Sequence, residues 1–286
     1  MSEYFVIDAH VHTYKTPEIG LQAMSGAGRA GCYGTPDELL KIMDEAGIDL
    51  AVQVNMTPAK SMFEAAMAKV SPEERDSARE AAIEKITGRV RRRNEWTCQM
   101  AREHPRLVPF PSVDPIMKQA DMTAEIMDKF ENFGAKGLKL HPAEGCFFPE
   151  DPVLEPVYET AEKVGLPIIS HGGIFITDKE YTRPINFTRV LEDFPELTFV
   201  IAHLGHGYWD ESVEMAQKYP NLFFDTSAAI HGAEGHRPLS DDEAVELIRK
   251  IGVDRVMFGS DFPWYHPGQD LKRFLDLKFS EEEKKA

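Results

Sequence analysis

The segment Ile7-Asp8-Ala9-His10-Val11-His12 sets two imidazoles two residues apart where the first apolar run ends. In an extended strand, residues i and i+2 project from one face, so His10 and His12 can hold a single ion between them. Asp8 has the same parity, and an inward carboxylate there requires a cation or a hydrogen-bond donor to meet it. The plainer reading is a surface strand whose two histidines share no ligand. Deciding between the two requires further donors from other parts of the chain.

The elements able to deliver such donors are visible as short β-branched or apolar runs at residues 4–9, 49–55, 107–113, 135–140, 167–170, 197–202, 222–225 and 255–259. Segments of helical period lie between them, at 36–46, 120–132, 152–164, 187–193, 211–218 and 240–251. Thr35 before Pro36, and Ser240 before Asp241 and Asp242, are good helix-starting residues. Eight strands alternating with helices point to a single (β/α)8 TIM barrel over residues 1–286, because each parallel connection needs a crossover and the eighth strand can close on the first. An open doubly wound sheet is the alternative, but no Gly-x-Gly-x-x-Gly turn follows the first strand. The polar stretch 58–104 reads as a helical insertion between strands 2 and 3, with Pro72 marking a break or a second start and with a lid or subunit contact as its expected role.

In a barrel of this kind, chemistry gathers at the carboxyl ends of the strands. His10 and His12 fall at the end of the first strand, His141 of the fourth, His171 of the fifth, His203 of the sixth and Asp261 of the eighth. His104 precedes the third strand and is assigned no role. Each residue also has a structural reading. His171, in Ser170-His171-Gly172-Gly173, is a ligand or a hydrogen-bonded core residue, and the glycines allow a sharp turn beside a bound group. His203 can serve as a structural donor to a carbonyl, the role we assign to His206, and Asp261 can cap a following helix.

Together, Asp8-Ala9-His10-Val11-His12, Lys139-Leu140-His141-Pro142, His171-Gly172-Gly173, His203-Leu204-Gly205-His206 and Gly259-Ser260-Asp261-Phe262-Pro263 give nearly the whole chain a family likeness. The chain resembles the amidohydrolase superfamily, in the amidohydrolase-related branch that includes aminocarboxymuconate-semialdehyde decarboxylase and related barrel hydrolases. The resemblance implies one divalent metal, usually zinc with manganese or iron as alternatives, held by His10, His12, His171 and Asp261. It makes His203 the unliganded catalytic histidine and implies a homodimer. Other branches carboxylate a fourth-strand lysine that bridges two metals. Lys139 is therefore either that bridge or a charged partner deep in the mouth. Such relatives end in another short helix with an Asn-Ala pair, whereas this chain reads Glu281-Glu282-Glu283-Lys284-Lys285-Ala286. The expectation is a missing or trimmed last helix.

The first functional reading is metal-dependent hydrolysis of an amide, ester or lactone, in which bound water becomes hydroxide near neutral pH, Asp261 accepts its proton, and His203 polarises the carbonyl or protonates the leaving group. The rival is a carboxy-lyase acting on an aromatic or muconate-like acid with the same atoms. A metal-free ligand-binding barrel is the third reading. A small carboxylated substrate needs a clamp, for which Arg29, Arg183 and Arg237 are loop candidates alongside Lys139 and His141. Tyr33, Phe147, Phe148, Tyr208, Trp209, Trp264 and His266 are expected in mouth loops, where rings favour a flat ligand or simply pack the loops.

Composition narrows the classes further. A formal charge of -16 argues against nucleic-acid binding, and Arg89 with Arg91, Arg92 and Arg93 reads as a solvated helix face. Cys32, Cys98 and Cys146, odd in number and widely spaced, fit free thiols in a reducing compartment. With neither a leader nor a membrane-length apolar run expected, the reading is a cytoplasmic enzyme.

Overall fold

The computed structural model describes residues 4–25, 31–175, 179–230 and 238–285. The apolar runs become eight strands: β1 (Ile7–Val11), β2 (Leu50–Gln53), β3 (Leu107–Pro109), β4 (Leu138–Leu140), β5 (Ile168–Ser170), β6 (Phe199–Ile201), β7 (Leu222–Asp225) and β8 (Val256–Met257). All strand pairs are parallel and follow chain order, as one sheet β1-β2-β3 and a second β4-β5-β6-β7-β8. The structure thus departs from one continuous barrel ladder. Among the described residues, the gap between β3 and β4 is spanned by the single bridge Ser112↔Lys139, and that between β8 and β1 by Val11↔Phe262. The expected strand 107–113 stops at Pro109 because Pro109 and Pro111 have no N–H to extend a ladder. Pro111 still accepts from Lys139 N at 2.8 Å, and Phe258 from Ala9 N at 2.8 Å.

Strand periodicity sorts the side chains into two cores. Leu138, Leu140, Ile168, Phe199 and Ile201 face outward against the helices. Val52, Val54, Phe110, Ile169, Val200 and Ala202, which alternate with residues facing the other way and come from both sheets, form an inner cluster. Lys139, between Leu138 and Leu140, is fully buried on the inner side. The same alternation turns His10 inward.

The crossovers are α1 (Pro17–Met24), α2 (Pro36–Ala46), α3 (Ala59–Met67), α4 (Arg75–Glu103), α5 (Gln119–Phe133), α6 (Pro142–Gly145), α7 (Glu155–Val164), α8 (Thr188–Asp193), α9 (Trp209–Lys218), α10 (Asp241–Ile251), α11 (Pro267–Asp276) and α12 (Glu281–Lys285). Thr35 and Ser240 both close capping boxes, with Glu38 and Glu243 returning the bond to the cap backbone. The segment between β2 and β3 is helical, and Pro72 opens the short 3-10 turn that leads into α4. Helix α4 is pinned to the strands by Asn94, which donates to Ser112 O at 2.8 Å and accepts from Ser112 N at 3.0 Å. The acidic terminus forms α12, where Glu283 pairs with Arg249 at 2.7 Å. No helix among the described residues is long and apolar enough to cross a membrane.

Gly137 leads into β4 where a Cβ would lie 2.1 Å from the Phe110 ring. Overpacking of this kind costs about 1–3 kcal/mol. Gly137→Ala is expected to lower the unfolding free energy by that amount and so to lower the urea midpoint. An unchanged midpoint would show that the ring has room to move.

Candidate metal centre

The site is built from residues at or just beyond strand ends. His10 lies within β1 and His12 one residue after it, while Asp225 closes β7. His10 Nδ1 is 2.8 Å from Asp225 Oδ2, and both side chains are fully buried. A carboxylate only accepts, so Nδ1 carries the proton and the lone pair of His10 is fixed on Nε2. That Nε2 lies 3.3 Å from Lys139 Nζ and 3.8 Å from Asp261 Oδ1. His12 Nε2 is 3.4 Å from the same Asp261 oxygen. One potential ligand atom from each of His10, His12 and Asp261 therefore falls within a common 4.8 Å, and a second such group joins His10, His203 and Asp225.

The same reasoning sets the next two rings. His203 Nδ1 faces the Ser227 carbonyl at 2.9 Å and therefore donates to it, leaving Nε2 as an acceptor. His171 Nδ1 lies 3.0 Å from that Nε2 and supplies the proton of their hydrogen bond. The remaining nitrogen, His171 Nε2, is buried without a hydrogen-bond partner. An orphaned imidazole lone pair beside two others and a carboxylate is the donor set that a divalent cation requires. His171 itself belongs to neither close group. Lys139 competes for the lone pair of His10, so its ammonium and a cation cannot use that nitrogen together.

Electrostatics keep the imidazoles neutral, as ligands must be. Burial, helped by the Lys139 cation, brings His10 down to about 3. Burial also lowers His12 against the opposing pull of Asp261, and holds His141 and His171 well below the usual imidazole range. It brings Lys139 down to about 8, opposed by Asp225 and Asp261. Burial alone would raise both carboxylates, but His10 beside Asp225 and His12 beside Asp261 hold them below the usual range. The backbone is bent to the same end, since His203 (φ 61°) and Asp261 (φ 63°) take the left-handed conformation that side chains other than glycine adopt only under local constraint.

Other expected site residues are placed as follows. His141 stacks on His171 with ring centroids 4.2 Å apart, and its Nδ1 accepts from Glu144 N at 3.1 Å, capping α6. Trp264 meets His12 edge-on at 5.4 Å. Arg183 is held by Glu211 and, at 2.9 Å, by Glu180, so its guanidinium already has carboxylate partners within the protein. Arg29 and Arg237 lie outside the described residues. Asp8 belongs to neither close group: Oδ1 accepts from His10 N at 3.1 Å and Ser260 N at 3.0 Å, tying β1 to the segment after β8, and burial pushes its pKa up to about 7. The glycines after His171 turn the chain sharply, with Gly173 at φ 91°, and allow close packing, since a Cβ on Gly172 would lie 2.3 Å from Ile201 and one on Gly173 2.5 Å from His206 N. Asp225 was missed, although its position at the end of the seventh strand obeys the same rule that located the histidines.

Parallel strands of an α/β fold that end in inward imidazoles and carboxylates define a protein with a site for a divalent metal. The chain belongs to the amidohydrolase family, whose Amidohydro_2 model matches residues 7–286. No match is found among curated proteins. Similar solved structures include an uncharacterised TIM-barrel protein from Bordetella bronchiseptica, 20% identical with a TM-score of 0.71 over 98% of this chain and 93% of that one. A 2,6-dihydroxybenzoate decarboxylase from Rhizobium is 17% identical, with a TM-score of 0.70 over 98% and 95%. A 5-carboxyvanillate decarboxylase from Novosphingobium aromaticivorans, solved with manganese and 4-hydroxy-3-methoxy-5-nitrobenzoic acid, is 16% identical with a TM-score of 0.66 over 99% and 93%.

Removing a carboxylate that orients a ligating histidine lowers metal affinity about 10–100-fold. Asp225→Asn is expected to weaken Mn²⁺ binding by that factor in a chelator-competition titration, and His12→Ala to abolish it. Wild-type affinity in both variants would show that the ion, if bound, sits elsewhere.

Proposed function

We propose that this chain is a metal-dependent carboxy-lyase that releases carbon dioxide from a small aromatic acid. In this reading residues 1–286 act as one (β/α)8 barrel domain, and the helices between β2 and β3 are its insertion. The observation that carries the proposal is the ring lining of the site. Trp264 stands on His12, and Phe175 meets His141 at 5.4 Å and His171 at 5.2 Å, both edge-on. Ring walls of this kind suit a flat conjugated ligand better than an extended amide. Several solved structures that share the fold are decarboxylases of aromatic acids, which supports this reading over the hydrolase expected first.

His10, His12 and Asp261 would hold the cation, with His171 Nε2 as the fourth donor. A divalent ion there supplies positive charge to the oxygens of the acid. His203 is the proton carrier. Its Nδ1–H is fixed on Ser227 O, so a proton taken up for transfer sits at Nε2, which must then turn from the His171 Nδ1–H it accepts at rest. When the bond between the ring carbon and the carboxylate breaks, its electron pair takes that proton, and carbon dioxide leaves. Asp225 Oδ1 accepts from the backbone N of His203 at 3.0 Å and so keeps negative charge beside that residue. Lys139 stays a cation on the inner face only where it moves off His10 Nε2. A homodimeric, cytoplasmic enzyme belongs to the same reading, and the free Cys32, Cys98 and Cys146 fit a reducing compartment.

The test is headspace carbon dioxide from protein loaded with Mn²⁺ or Zn²⁺ and given 2,6-dihydroxybenzoate, 5-carboxyvanillate and related acids, beside a panel of lactones and amides. Carbon dioxide is expected from an acid, and His203→Asn is expected to lower kcat by about 100-fold or more with metal content unchanged. Turnover of lactones or amides with no carbon dioxide from any acid would restore the hydrolase and remove the lyase.

A further inference from the structure

The basic run Arg89 to Arg93 is not one solvated face. Arg91 does turn outward, pairing with Asp121 at 2.8 Å and approaching Glu125 at 3.7 Å. Arg93 turns the other way, against the exit of β1. Its Nη2 donates to the carbonyl of Thr13, the residue after His12. The guanidinium carbon lies 5.1 Å from the Tyr14 ring centroid and 4.8 Å from that of Trp96, so two aromatic rings hold the planar group. Tyr14 in turn packs toward the segment that carries Asp261. A Cβ on Gly34 would meet Tyr14 at 2.7 Å and Pro263 at 2.9 Å.

Among the described residues, no carboxylate lies within ion-pair distance of Arg93. That is unexpected in a chain with 48 acidic side chains and 32 basic ones. A guanidinium has five N–H donors, and the bond to Thr13 O is its one hydrogen bond to the described protein. Arg89, one helical turn earlier and exposed, adds a like charge rather than a counter-ion, an arrangement that is unfavourable until an anion approaches. Burial together with Arg89 brings the Arg93 group down to about 10, so it remains charged at neutral pH.

We propose that Arg93, assisted by Arg89, is an anion site at the rim of the metal centre that takes a carboxylate of the substrate through the free N–H groups along the edge of its guanidinium fork. It supplies the clamp that Arg183, already paired with Glu211 and Glu180, does not. The proposal rests on the reading that the centre handles a carboxylated ring, and it is tested by binding rather than by turnover. A fork fixed by two rings is preorganised for a planar carboxylate and leaves a neutral amide of the same shape less well bound.

The experiment is calorimetric titration of the full chain loaded with Mn²⁺, using 2,6-dihydroxybenzoate and 5-carboxyvanillate against the matching carboxamides. Wild type is expected to prefer the acids. Arg93→Gln is expected to weaken acid binding by about tenfold or more while leaving the carboxamides unchanged. Arg89→Gln, an exposed position that does not threaten folding, is expected to lose a few-fold for the acids alone, with the loss shrinking at high salt. Acid binding at the wild-type level in both variants, equal loss of acid and amide, or no acid preference in wild type would each overturn the proposal. Carbon dioxide release is scored separately. An acid preference that depends on Arg93, without any carbon dioxide, would keep the anion site and refute the lyase.

Discussion

The hydrogen bond between His10 and Asp225 sets the terms for the rest of the centre. Burying an ionised carboxylate on the inner face of a parallel sheet is unfavourable unless donors surround it. Asp225 meets that condition by accepting from His10 Nδ1, the backbone of His203 and Ser227, and the Ser227 hydroxyl. In doing so it fixes the tautomer of His10 and the path of the chain after β6. One carboxylate at the end of β7 thereby orients a ring on β1 and places His203, two residues beyond the end of β6. The neutral imidazole–carboxylate bond is the familiar support for a ligating histidine, and it fixes the lone pair on Nε2, where Lys139 and a cation would compete for it.

A charge balance follows from the same arrangement. Asp225 and Asp261 bring two negative charges into a space whose imidazoles are neutral, and Lys139 returns one positive charge at 3.3 Å from His10 Nε2. A divalent cation between His10, His12 and Asp261 would by itself balance the two carboxylates and use the lone pairs that the hydrogen bonds leave over, which makes the Lys139 charge surplus. Lys139 is then either displaced from His10 or loses its proton. Its lowered pKa makes the second route inexpensive. The anion site at Arg93 extends this logic outward, because a substrate carboxylate carries its own charge into the mouth and needs a partner that the protein has not already neutralised.

Much of this was legible in the primary structure for a simple reason. Strand period and strand ends are written in the alternation of apolar residues, so His10, His12, His141, His171, His203 and Asp261 could be placed at one mouth before any coordinates. The capping residues Thr35 and Ser240 were equally plain, because capping is local. What could not be read depended on side-chain partners far apart in sequence. The fate of Asp8 turns on Ser260, and that of Arg183 on Glu211. The close packing of Gly172 on Ile201 and of Gly173 on His206 also depends on segments far along the chain. Strand continuity was overestimated where Pro109 and Pro111 remove ladder donors. Helix α1 went unseen because it is short and carries Gly20, where a Cβ would lie 1.7 Å from Tyr33 O.

The most direct test of the central claim is the anomalous difference map of a crystal grown with Mn²⁺. The account predicts one dominant peak at coordination distance, about 2.0–2.3 Å, from His10 Nε2, His12 Nε2 and an Asp261 oxygen, with Asp225 still bonded to His10 Nδ1. A map with no peak among these residues, and Lys139 Nζ still seated on His10 Nε2, would contradict it.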